Sequence, residues 1–203
     1  PTLCRSIDSA HNHAEQQGRF LLTTMAEQAH TAVRSHAERN RAVYGMGTTL
    51  VMAHLLPLSH PRLLVLNVGD SRAYLIRADT IIQLTRDHTL LEDSIRDGRL
   101  TPAQAAHHPD RHVLTRAMGV GPTLESDLFS SDLQNGDLLL LCSDGLTTML
   151  TDEEILNTVR PRLHDAHDST QALIRAAIER GGIDNVTVVT CSVVDTTKQT
   201  NRH

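Results

Sequence analysis

Asp137-Leu138-Leu139-Leu140-Leu141-Cys142-Ser143-Asp144-Gly145 is the stretch on which the reading of this sequence turns. An almost unbroken leucine run of strand length, ended by Ser143, Asp144 and Gly145, predicts a β-strand covered on both faces that delivers a carboxylate at its end. Such a strand needs partners, and the sequence offers them on both sides. Upstream, short β-rich runs fall at 48–55, 62–68, 72–76 and 81–85. Pro57 and Pro61 bracket one loop, Gly69 and Asp70 make a tight turn, and Ala78, Asp79 and Thr80 close a hairpin. Together these runs predict an antiparallel meander. Downstream, residues 185–194 form a last strand whose imperfect alternation again predicts burial on both sides.

Helical texture surrounds the strands. Leu22, Met25, Ala26, Ala29 and Val33 recur at the three-and-four spacing of an amphipathic helix over 20–39. Thr101 is placed to cap a short helix that begins at Pro102, inside a polar insertion over 88–112. Thr151 and Glu154 have the spacing of a capping box, and a further helix over 169–180 ends at Gly181 and Gly182. The polar tail, 196–203, is expected to fray.

Composition narrows the function. The chain has 203 residues, 39% hydrophobic and 21% charged, with 11 Gly and 7 Pro, which is the make-up of one globular domain over 1–195. Its 24 acidic side chains outnumber 19 basic ones, so no global field draws it to nucleic acid or an anionic bilayer. No apolar run approaches the roughly 20 residues of a membrane span, and the first residues lack the basic-then-apolar order of a signal peptide. A cytoplasmic protein is expected. Cys142 and Cys191 are read as small buried hydrophobes in a reducing compartment. Phe20, Phe129, Tyr44 and Tyr74 are all the aromatics, with no Trp, which nearly excludes stacking platforms for bases or sugars.

The chemistry collects on carboxylates at strand ends. Asp144 follows one greasy strand and Asp184 precedes another; if the strands are neighbours, both carboxylates project at one edge. Hard divalent cations such as Mg²⁺ or Mn²⁺ take oxygen donors of this kind. The competing reading makes both residues turn formers before Gly145 and Asn185. Asp70 in Gly69-Asp70-Ser71-Arg72 is read as shaping its turn with Arg72 as an internal partner, and Asp87 in Thr85-Arg86-Asp87-His88 as either ligand or loop anchor. The 13 histidines, including His11, His13, His107, His108 and His112, lack the spacing of a zinc site and are read as solvated. Neither a Gly-x-Ser-x-Gly elbow nor a Gly-x-x-x-x-Gly-Lys loop occurs, which disfavours serine hydrolase chemistry and a nucleotide P-loop.

Five segments then line up in order: Gly45-Met46-Gly47-Thr48-Thr49, Asn67-Val68-Gly69-Asp70-Ser71-Arg72, Leu84-Thr85-Arg86-Asp87-His88, Cys142-Ser143-Asp144-Gly145-Leu146 and Gly182-Ile183-Asp184-Asn185-Val186-Thr187. With them the chain resembles a bacterial PP2C-type (PPM family) protein serine/threonine phosphatase from about Phe20 to Val194. Asp97-Gly98-Arg99-Leu100-Thr101-Pro102 and Val113-Leu114-Thr115-Arg116-Ala117 also resemble the family's bacterial flap region. The resemblance implies an α+β fold, a sandwich of two antiparallel β-sheets flanked by helices. It implies a binuclear Mn²⁺ or Mg²⁺ centre and hydrolysis of phosphoserine and phosphothreonine by metal-activated water. By matching position Asp144 and Asp184 ligate that centre, and Asp87 joins the Asp144 position around a weaker third metal. The partners implied are phosphoprotein substrates and a Ser/Thr kinase whose action is opposed, with the protein a monomer.

The sequence departs from the family at its start. The Asn-Glu-Asp-like and Asp-Gly-Met-Gly-Gly segments, which carry the remaining metal carboxylates, are not in it; residues 1–19 hold only Asp8 and Glu15 as acids. This chain is therefore expected to lack the N-terminal metal-binding strands, to bind metal weakly and to hydrolyse little. The alternative is a non-catalytic PP2C-like module that binds a kinase or phosphoprotein through 88–112.

Overall fold

The computed structural model describes residues 2–58, 60–105 and 108–194; the predicted tail over 196–203 and His107 lie outside these residues. In chain order the elements are α1 (Thr2–Arg39), β1 (Leu50–Leu56), β2 (Arg62–Val68), β3 (Arg72–Arg77), β4 (Thr80–Gln83), α2 (Leu90–Arg96) and α3 (Pro102–Ala105). They continue with β5 (Asp127–Asp132), β6 (Leu138–Cys142), α4 (Asp144–Thr147), α5 (Asp152–Val159), α6 (Ala166–Glu179) and β7 (Val188–Ser192). The chain divides into two compact units, the first formed by Pro1–Ser71 and Thr85–Ser130, the second by Arg72–Leu84 and Ser131–His203. No helix among the described residues is long and apolar enough to cross a membrane.

The first unit is built on a three-stranded sheet of order β1-β2-β5 with α1 packed against β1 and β2. Its middle strand is buried from Leu63 to Val68, which suits a run of large apolar residues flanked by a strand on each side. Helix α1 continues well before the predicted start at 20, because Ala10, Ala14, Glu15, Gln16 and Gln17 are strong helix formers even without an apolar stripe. Glu15 ties that extension down, accepting from Arg19 at 2.8 Å and from Arg62 at 2.5 Å. The buried stripe differs from the predicted one: Leu22 and Ala26 reach the core with Leu64, Leu66 and Val68, whereas Met25 is exposed. One turn on, the stripe holds buried His30, whose Nδ1 accepts from the Gly119 amide at 3.1 Å.

The second unit is a four-stranded sheet of order β4-β3-β6-β7, all its pairs antiparallel. The predicted meander is thus corrected. Runs β2 and β3 belong to different sheets, and the Gly69 turn between them passes the chain from one to the other. Gly69 has φ +100°, and a Cβ there would lie 2.4 Å from Thr49 Cγ2, so sterics reserve this turn for glycine. The predicted hairpin at Ala78 and Asp79 is present, with Arg77 paired to Thr80.

Strand β6 alternates. Leu138, Leu140 and Cys142 are buried with Tyr74, Ile76, Ile155 and Leu173, while Leu139 and Leu141 are half-buried, so coverage is full on one face and partial on the other. Burial on both sides also fails for β7, which is a sheet edge. Thr190 and Ser192 hydrogen-bond to Ala166 and Leu163, while Val189 and Cys191 alternate to the other face and are exposed; Cys191 is therefore not the buried hydrophobe expected, and Cys142 is. Helix α5 begins with the predicted capping box of Thr151 and Glu154.

At the start of β6, Asp137 is fully buried and takes both oxygens to Arg77, each at 2.7 Å, plus the Gln134 amide. Truncating Leu140 to Ala should lower unfolding free energy by about 2–5 kcal/mol. Val189→Ala, on the exposed side of the sheet edge, should change it by about 0.5 kcal/mol or less. Urea titration of both variants checks the contrast.

Candidate metal centre

Ser143, where β6 ends, organises the loops that carry the two strand-end carboxylates of the second unit. Its amide donates to Thr187 O at 3.1 Å, its Oγ accepts from the Thr187 amide at 3.0 Å, and the same hydroxyl donates to Asn185 O at 3.3 Å. Beneath this tie Gly145 lets the chains touch: a Cβ at 145 would lie 2.3 Å from Asn185 O. The condition set in reading the sequence is therefore met. Strands β6 and β7 are neighbours, and the loop of Asp144 is laced to the loop of Asp184.

Asp144 opens α4 and is half-buried; Asp184 is exposed and accepts from the Asn185 amide through Oδ1 at 2.7 Å. Among the described residues neither carboxylate is neutralised by an arginine or lysine. Two uncompensated hard oxygen donors on adjoining loops suit a divalent cation that retains several waters. Arg72 is engaged elsewhere in this unit, donating to the Tyr74 hydroxyl at 2.9 Å, which in turn donates to Asp152 at 3.1 Å.

The third predicted ligand, Asp87, lies in the first unit. The residues beside it converge on a carboxylate that the sequence reading did not single out. Asp127 accepts from Arg86 at 2.8 Å and from Arg116 at 2.8 Å, and its Oδ2 lies 3.3 Å from His88 Nε2. Burial opposes ionisation of Asp127, but the hydrogen bonds from Arg116 and His88 outweigh it and hold the carboxyl below the usual carboxylate range. Burial pushes His88 the other way, below the usual imidazole range, with Arg116 and Arg86 adding to the effect against the pull of Asp127. Asp70 and exposed His112 are also drawn together, with ligand atoms within 4.8 Å. Their positions are far apart in the chain, and Asp127 sits in the weakly patterned run Asp127-Leu128-Phe129-Ser130, so no periodicity marks either pairing.

The sequence matches the model of the family Protein phosphatase 2C over residues 2–94 and 125–186. It is 38% identical over 179 residues to the serine/threonine phosphatase stp of Listeria innocua, covering 87% of this chain and 68% of that protein. It is 35% identical over 189 residues to the serine/threonine protein phosphatase PstP of Mycobacterium tuberculosis, covering 92% of this chain but 36% of that one. The fold matches the serine/threonine phosphatase Stp1 of Staphylococcus aureus with a TM-score of 0.79 at 32% identity, over 89% of this chain and 69% of the other. It matches the PstP catalytic domain in complex with two manganese ions with a TM-score of 0.68 at 37% identity, over 82% and 67%.

Gly145→Ala should part the two loops and cost about 1–3 kcal/mol in urea titration, with faster hydrogen exchange at the Thr187 amide. The depressed carboxyl of Asp127 contributes stability that is complete above its unfolded value near 3.8 and is lost as pH falls through the lower folded value. Asp127→Asn should therefore destabilise the chain at neutral pH and flatten the acid limb of its stability curve, as thermal melts from pH 7 to pH 2 will register.

Proposed function

The chain belongs to the protein phosphatase 2C family, and from that premise we propose that it hydrolyses phosphoserine and phosphothreonine in proteins with Mn²⁺ or Mg²⁺ as cofactor, opposing a Ser/Thr kinase. The observation that carries this reading is the lacing of the Asp144 and Asp184 loops, which brings two carboxylates without basic partners among the described residues onto one end of the β6–β7 pair. Asp144 and Asp184 would hold the cation, and Asp87 would serve a further, weaker one. Bound there, a divalent ion lowers the pKa of water and neutralises phosphoryl oxygens.

The chain's own residues supply the frame for that chemistry. Ser143 fixes the separation of the two loops through three hydrogen bonds, and Asn185 fixes one Asp184 oxygen through its amide. With no arginine among the described residues paired to them, Asp144 and Asp184 favour a cation over a free phosphate anion. Three carboxylates hold divalent ions less firmly than a fuller set, so affinity and turnover of this chain are low. Phosphoprotein substrates, a kinase partner, a cytoplasmic setting and a monomeric state belong to the same reading.

Phosphate release from a phosphothreonine peptide tests it. The rate should require Mn²⁺, vanish with EDTA, and fall at least about tenfold in Asp144→Asn and in Asp184→Asn. Release that survives EDTA, or that both substitutions leave untouched, would overturn the proposal; peptide binding without any release would favour the non-catalytic module.

A further inference from the structure

His88 is fully enclosed, only 2% exposed, and its backbone amide and both ring nitrogens are committed to the same two places. Its backbone amide donates to Gly69 O at 3.0 Å, and its ring Nδ1 accepts from the Gly69 amide at 3.1 Å. Since Nδ1 accepts, the neutral ring carries its proton on Nε2, which then faces Asp127 Oδ2 at 3.3 Å. Arg116 Nη1 is also 3.3 Å from Nε2, but its hydrogen bond goes to Asp127 Oδ1 at 2.8 Å. Asn67, with no exposed surface, adds a third hold by donating to Gly69 O at 3.1 Å and Arg86 O at 3.0 Å.

Gly69 is thus gripped at both its amide and its carbonyl immediately before Asp70, in a turn whose φ of +100° is open only to glycine. Asp87 is flanked by Arg86 and His88, both seated on Asp127. Simple filling of the core needs neither a defined tautomer nor a polar partner at each ring nitrogen; an apolar side chain of the same volume would serve. We infer that His88, oriented by Asp127, is a positioning residue that sets the backbone of the Gly69 turn and the placement of Asp70 and Asp87. In its bearing on metal binding this rests on the function proposed above; in its bearing on the turn it does not.

Two substitutions separate the ends of the ring. His88→Asn keeps an acceptor near Nδ1 and loses the reach to Asp127, whereas His88→Gln puts its amide towards Asp127 and loses the acceptor for Gly69. Exchange of the Gly69 amide, followed by NMR on the intact chain, should quicken about tenfold in His88→Gln, the size of one lost buried hydrogen bond, and clearly less in His88→Asn, which keeps the acceptor but not its anchor on Asp127. Mn²⁺ affinity, read by electron paramagnetic resonance of the free ion, should fall about 10- to 100-fold in His88→Gln and be partly rescued in His88→Asn. Equal Gly69 exchange in the two variants and the wild type would overturn the inference. So would an equal loss of Mn²⁺ affinity in both variants with Gly69 exchange unchanged. If the wild-type chain takes up no Mn²⁺, the metal reading fails while Gly69 exchange still decides the role of His88. Should His88→Gln not fold, Asp127→Asn, which keeps its shape, must quicken the same amide for the inference to stand.

Discussion

One carboxylate, Asp127, balances two guanidinium groups and a ring proton in the first unit, and much of that unit's order descends from it. Without it Arg86, Arg116 and a buried imidazole would lose the carboxylate they share. Because Asp127 begins β5 and β5 pairs with β2, the carboxylate also links the segment around Asp87 to the strand that runs into the Gly69 turn. Electrostatics here does the work of shape. The apolar core of Leu22, Leu64 and Leu66 holds the helix to the sheet, but a carboxylate and its three cationic or protic partners decide where the loop backbone lies.

The second unit solves the same problem with one ion pair and one hydroxyl. Strand β6 is anchored at its start by Asp137 on Arg77 and at its end by Ser143 on Thr187 and Asn185. Between those anchors it needs only leucine, since β3 and β7 satisfy its backbone on either side. A rigid apolar strand with polar fixings at both ends delivers a side chain to a defined place far better than a loop does, and Asp144 is that side chain.

Much of this was legible before any coordinates. The leucine run, the Thr151 and Glu154 capping box and the hairpin at Ala78 follow from local rules of periodicity and turn chemistry, whereas the pairing of the Asp144 and Asp184 strands enters the sequence reading only as a condition. What escaped the reading was not local. The change of sheet at Gly69 leaves two adjacent β runs looking like a meander, because the sequence does not say which edge a strand joins. Strand β5, rich in serine and aspartate, carries little β signal, and with it Asp127 was missed. The histidines were judged by their polar surroundings in the chain, yet His30 and His88 are buried, each accepting a glycine amide from a distant segment. A buried imidazole identifies itself only through partners remote in sequence.

The sheet order β4-β3-β6-β7 also has a kinetic meaning. Strand β3 finds β4 at once across a two-residue turn, but its other neighbour, β6, is separated from it in the chain by all of Thr85–Ser130. A lone two-stranded hairpin is marginal in water, so Ala73 to Ile76 wait with their apolar faces uncovered until that long loop closes. During synthesis from the N-terminus the first unit's material emerges in the interval. The chain therefore carries a high contact order into its second unit, and folding there is paced by closure of the loop rather than by formation of its helices.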